Sequence, residues 1–158
     1  MAASCTSSNP VVLLVPGAWH SPAHYSALTK CLASEGYNTI SERNPSCDCT
    51  NADDTSTASD AAAIRRLILA QIDNGQEVVV AMHSYGGYPG AAACKGLSKK
   101  ERQATGQPGG VIGLILICAF IAHEGDSLIS KLPGSVRPEW MILHVSDARS
   151  FWDDIRRC

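Results

Sequence analysis

The residues best suited to chemistry in this chain lie in the run Ala81-Met82-His83-Ser84-Tyr85-Gly86-Gly87. A serine hydroxyl attacks an acyl carbon well only when it is exposed, aimed and served by a base. A sharp turn between a buried strand and a helix meets the first two needs, and it requires small neighbours so that strand and helix pass closely. Ser84 stands at such a place, after Val78-Val79-Val80 and before Ala91-Ala92-Ala93. There its hydroxyl would meet the positive end of the following helix, where developing negative charge is favoured. In the G-x-S-x-G form of this turn, glycines occupy the positions that are 82 and 86 here. Gly86 is present, and Met82 replaces the other.

A second run, Pro16-Gly17-Ala18-Trp19-His20, directly follows the first strand candidate. In sites of this kind one oxyanion donor is a backbone N–H of such a loop, and the other is that of the residue after the nucleophile. The amides of Ala18 (or Trp19) and Tyr85 are therefore the candidate donors, each worth about 3–4 kcal/mol to a tetrahedral oxyanion. Met82, His83, Gly86 and Gly87 would support the turn. Plainer readings stand beside these. A serine in a glycine-rich turn is commonly just a turn residue. His20, beside a helix cap, reads as a surface residue, and His83 as packing under the turn. Trp19 and Tyr85 fit either a substrate pocket or the core. Asp60, near a helix start, reads as compensating the helix dipole rather than as a catalytic acid.

The elements that must hold these residues follow from apolar periodicity. Val11 to Val15 is a continuous apolar run, as in a strand buried on both faces of a parallel sheet. Ser21 reads as an N-cap with Pro22 at the first helical position. Tyr25, Leu28, Cys31 and Leu32 form the stripe of a helix that stops at Gly36. Tyr37 to Ile40 is a second strand candidate, and the polar stretch Asn44 to Thr57 reads as a loop. Ser59 or a close neighbour caps the next helix, whose face is Ile64, Leu67, Ile68 and Ile72 and which Gly75 closes. Glu77 to Met82 is a strand. Leu97 to Gly110 carries Lys99, Lys100, Glu101 and Arg102 and reads as solvated surface. Val111 to Phe120 is the most apolar strand candidate. Ser127 to Leu132 and Phe151 to Cys158 are short helix candidates. Strands alternating with helices imply parallel crossovers and an α/β sheet.

Bulk properties narrow the classes. At 158 residues, 45% hydrophobic and 18% charged, the chain reads as one globular domain, residues 1–158, with a flexible tail over 1–10. A net charge of -2 gives no footprint for nucleic acid. No signal peptide or stretch of membrane-spanning length is legible, so no membrane partner and a cytoplasmic location are expected. The seven cysteines are odd in number and irregularly spaced, which argues against a disulfide framework. Cys47-Asp48-Cys49 lacks a second ligand pair at zinc spacing, so no metal is expected. Cys31, Cys94 and Cys118 lie in apolar patterns and read as packed thiols.

Taken together, the chain resembles the fungal-type α/β-hydrolases of the AB hydrolase-1 superfamily. The resemblance runs from about Val11 to the C-terminus. It rests on Val15-Pro16-Gly17-Ala18-Trp19-His20, Met82-His83-Ser84-Tyr85-Gly86-Gly87, Gly96 to Arg102, Gly109-Gly110-Val111, Cys118-Ala119-Phe120 and Glu124 to Leu128. Methionine at position 82 is usual for this group. The resemblance implies hydrolysis of a small-molecule carboxylic ester through a Ser-His-acid triad, with no cofactor. It also implies that about 124–158 begins a lid. The expected architecture is a partial α/β-hydrolase fold, a mostly parallel sheet of about four strands flanked by helices. The group carries its acid and histidine on later strands, whereas this chain ends at Cys158. The expectation is a C-terminally truncated hydrolase whose last strand has an unpaired apolar edge. Glu124 and Asp126, with His123 and His144, are the local substitutes, and none lies at the group's positions. The competing reading is a non-catalytic ligand-binding or interaction protein on the same fold. A lyase on this scaffold is a third, which no residue selects. The sequence carries no sign of an oligomeric state.

Overall fold

Val11–Val15 forms β1, the centre of the sheet, and all five of its residues are buried. Such a strand needs partners on both edges and cover on both faces, because its backbone polar groups and its side chains all leave water. The computed structural model describes residues 9–47 and 55–121, together with positions 123, 125, 126 and 134. In chain order it contains β1, α1 (Ser26–Ser34), β2 (Thr39–Ile40), α2 (Thr57–Ile72), β3 (Glu77–His83), α3 (Gly87–Ala93), α4 (Lys99–Ala104) and β4 (Gly110–Ile117). The four strands pair in the order β2-β1-β3-β4, and every pairing is parallel. Along β1–β3 the register runs from Val11 opposite Val78 to Val15 opposite Met82. It brings the C-terminal ends of β1 and β3 level.

The period of two divides β1 between two apolar layers. Val11, Leu13 and Val15 face the core formed with Ile64, Ile68 and Ile72 of α2. Val12 and Leu14 face Tyr25, Leu32 and Tyr37 on the other side. Ile68 and Ile72 are fully buried, and each such side chain contributes about 1.5–3 kcal/mol relative to exposure. Ser56 caps α2 by accepting the Ser59 N–H at 3.1 Å, while the Ser59 hydroxyl returns a bond to the cap. Gly36 and Gly75, at φ of 79° and 81°, turn the chain out of α1 and α2, as the sequence predicts.

Several expectations need correction. The second strand is Thr39–Ile40 and does not begin at Tyr37. The last strand ends at Ile117, because Cys118 turns to φ 45°. The charged run is not simply solvated surface. It forms α4, whose Arg102 is buried, donating to the Pro108 carbonyl from Nε at 3.1 Å and to Asp73 Oδ1 at 2.8 Å. That guanidinium closes the carbonyl-rich end of the α2–β3 connection, which a surface reading overlooks. Cys31 and Cys118 are exposed rather than packed. Among the described residues β4 pairs with β3 and makes an isolated bridge from Val111 to Ser98, and Ile112, Leu114, Ile115 and Leu116 are 44–50% exposed. No helix of the described residues is long and apolar enough to cross a membrane. Residues 1–8 of the expected tail, Cys49, Glu124, His144, and the helix candidates at Ser127–Leu132 and Phe151–Cys158 lie outside the described residues.

Candidate functional site

Among the described residues, three that are not glycine have positive φ: Trp19 (59°), Ser84 (51°) and Cys118 (45°). Each costs of order 1–3 kcal/mol and persists only where its surroundings over-determine it. All three follow the C-terminal ends of strands, Trp19 after β1, Ser84 after β3 and Cys118 after β4. In open parallel sheets that edge is where ligands bind. Ser84 leaves β3 at once into a single 3-10 turn, Ser84–Gly86, and then into α3. Strand, strained residue and helix follow one another as a nucleophile turn requires.

Close packing fixes this turn. A methyl group on Gly86 would meet the Pro16 carbonyl oxygen at 2.6 Å and that of Val15 at 2.8 Å. On Gly87 it would meet the Phe120 carbonyl oxygen at 2.1 Å. Both obstacles are backbone, so neither position has room for a side chain. Gly90 explains Met82. The methionine is fully buried, and its sulfur lies only 2.6 Å from where a Cβ on Gly90 would stand. The small residue that lets strand and helix approach is therefore on the helix rather than on the strand. The segment after β4 closes the third side, with Phe120 N–H donating to the Ser84 carbonyl at 3.0 Å.

The loop after β1 lies against the turn. A Cβ on Gly17 would stand 2.8 Å from His83 Nδ1 and 3.1 Å from Ser84 Cβ. His20 N–H donates to the Gly17 carbonyl at 3.2 Å, closing a tight turn over residues 17–20 with Trp19 in the left-handed region. His20 Nδ1 lies 2.7 Å from the Ala18 carbonyl. The Trp19 amide lies against the Cys47 thiol; burial raises that thiol's pKa, and the amide partly offsets it. Trp19 itself is 69% exposed, so it is not part of the core.

Tyr85 is core. Its phenol donates to Asp60 Oδ2 at 2.7 Å, and Asp60 also accepts from Ser46 N–H at 2.9 Å and Ser46 Oγ at 2.6 Å. Asp60 is fully buried in the first turn of α2, a place that fits its reading as a helix-dipole partner, and it also gathers these three donors. Burial first, and then Asp60, push the Tyr85 phenol far above its ordinary pKa, so it remains a donor. His20 is likewise not a simple surface residue. Its ring meets that of His83 edge-on, centroids 5.1 Å apart. Burial, followed by His20, holds His83 below the usual histidine pKa, so its ring is neutral at pH 7.

Among the described residues, no imidazole or carboxylate is hydrogen-bonded to Ser84 Oγ. His123, whose side chain is 94% exposed, is paired with Asp126 at 3.4 Å. Nor do the described residues contain a group of His, Cys, Asp or Glu able to hold a metal ion. Sequence reasoning missed Tyr25, Asn44 and Asp60 as polar supports of the site. Buried Asn44 donates to the Pro16 carbonyl at 3.0 Å. Local pattern offers no signal for any of these partnerships.

Residues 12–157 match the profile of the Alpha/beta hydrolase family. The alpha/beta hydrolase nvfD of Aspergillus novofumigatus is 36% identical over 123 residues, 78% of this chain and 48% of its own length. A probable hydrolase of a Phoma species is 32% identical over 121 residues, 76% of this chain and 46% of its own length. The chain therefore spans about half the length of the curated relatives it matches. Among solved structures, an extracellular alpha/beta-hydrolase from a Paenibacillus species superposes with a TM-score of 0.61 at 14% identity. The match covers 79% of this chain and 47% of that one. That protein is described as sharing structural and functional homology with tobacco salicylic acid binding protein 2.

Proposed function

The chain belongs to the alpha/beta hydrolase family, and from that premise we propose that it hydrolyses carboxylic esters or related acyl substrates with Ser84 as nucleophile. The observation that carries this reading is the positive φ of Ser84, 51°, at the end of β3 and within touching distance of the Gly17 loop. Left-handed backbone at a non-glycine residue is a cost that a plain turn would avoid by using glycine.

In this reading Ser84 Oγ attacks the acyl carbon, and its proton passes to a base that is not among the described residues. The carbonyl π electrons move onto oxygen, and the Ala18 and Tyr85 amides stabilise that charge. Collapse expels the alcohol, which takes a proton, and water then releases the acid from Ser84. The Tyr85–Asp60 bond supports the reading because it fixes the residue whose amide must aim at the oxyanion. No cofactor enters this chemistry, and the substrate is a small molecule.

A fluorophosphonate probe tests the proposal. The purified chain is expected to label, and Ser84→Ala to lose the label while remaining folded by circular dichroism. A folded wild-type chain that stays unlabelled overturns hydrolysis by this chain and favours the non-catalytic ligand-binding alternative.

A further inference from the structure

The Gly17–His20 loop and the Ser84 turn come from strands that are neighbours in the sheet, yet nothing in strand pairing fixes the distance between the two loops. One side chain spans them. The Tyr25 hydroxyl accepts the Gly17 N–H at 3.1 Å and lies 2.8 Å from His83 Nδ1. Resting on the hydrolase reading above, we propose that Tyr25 and His83 are positioning residues that clamp the oxyanion loop to the nucleophile turn.

The hydrogen-bond inventory fixes one end of the clamp. A phenol has one proton to give. Gly17 N–H can only donate, so it takes a lone pair of the Tyr25 oxygen. In the clamp as proposed the phenolic proton goes to an unprotonated Nδ1 and the ring proton sits on Nε2; the opposite tautomer would instead donate from Nδ1 to the second lone pair of the Tyr25 oxygen. Burial and His20 keep the ring neutral, as this arrangement requires. The Tyr25 phenol is itself raised in pKa, by burial first, and so keeps its proton. The rings of Tyr25, His83 and His20 pack against one another at 5.1–5.8 Å, which limits their rotation. With Gly17 packed so closely that a Cβ there would stand 2.8 Å from His83 Nδ1 and 3.1 Å from Ser84 Cβ, a loosened clamp would let the Ala18 amide drift from the oxyanion. Backbone donors act through fixed placement, and small displacements are costly.

The test has two independent arms on the full chain. Nitrogen NMR of labelled histidine is expected to show His83 protonated on Nε2, with Nδ1 accepting. Tyr25→Phe keeps the ring and removes the hydroxyl; it should release the tautomer and speed Gly17 amide exchange by about fivefold. In the second arm, the rate of fluorophosphonate labelling at Ser84 should fall about tenfold or more in Tyr25→Phe, with probe affinity little changed. His83→Leu should fall alike, and His83→Asn, which restores an acceptor near the Nδ1 position, should recover most of that loss. A His83 proton on Nδ1, unchanged Gly17 exchange in Tyr25→Phe, or an unchanged labelling rate in Tyr25→Phe each overturns the clamp. A wild-type chain that never labels refutes the hydrolase reading instead, and the NMR arm then decides the clamp alone.

Discussion

Replacing Gly87 by alanine sets two opposing effects against each other. Gly87 begins α3 with helical backbone, and its neighbour on the far side is the Phe120 carbonyl. In an open helix the substitution would stabilise by about 1 kcal/mol, from helix propensity and reduced unfolded-state entropy. Here the new methyl would lie 2.1 Å from the Phe120 oxygen and 3.1 Å from Ala119 Cβ, well inside contact distance. Either α3 retreats from the sheet, or the 118–120 segment moves and breaks the Phe120–Ser84 hydrogen bond of 3.0 Å. Overpacking of this kind costs about 1–3 kcal/mol, and the lost hydrogen bond adds about 0.5–1.5 kcal/mol. The clash should therefore win, leaving Gly87→Ala less stable by about 1–3 kcal/mol. Urea unfolding followed by circular dichroism measures it, with the midpoint falling and the slope unchanged. Gly113→Ala is the control, since nothing lies within 4 Å of its would-be Cβ. A Gly87→Ala protein as stable as Gly113→Ala would refute the close approach on which the site geometry rests.

Further outcomes follow from the buried polar groups. Tyr85→Phe leaves Asp60 with its two Ser46 bonds and removes a bond to a carboxylate, so it should cost about 1.5–3 kcal/mol; thermal or urea unfolding checks this, and an unchanged midpoint would contradict the network. Arg102→Lys keeps the charge but loses the planar fork that reaches Pro108 and Asp73, so a loss of about 1–3 kcal/mol is expected in the same assay.

The sequence by itself determined the order of the strands and of every helix but α4, the helix stops at Gly36 and Gly75, and the position of Ser84 between strand and helix. These are local properties: periods of two and 3.6, caps and turn residues report which face is apolar and where the chain reverses. Met82 looked like a departure from the glycine pattern because the sequence does not reveal that Gly90 supplies the missing space. The partners of Asp60, Arg102 and Tyr25 were missed for a related reason. Those partners lie far along the chain, 58 residues away for Tyr25 and His83 and 25 for Asp60 and Tyr85. Which distant polar atoms meet is set by parallel register and helix packing, and a local pattern is the same whether or not they do. Only the tertiary structure could separate Trp19, held in strain outside the core, from Tyr85, tied into the core. Burial of polar groups is tolerated only where such partners converge, and the fold brings them together beside Ser84 for Tyr25 and Asp60 and at the opposite end of β3 for Arg102.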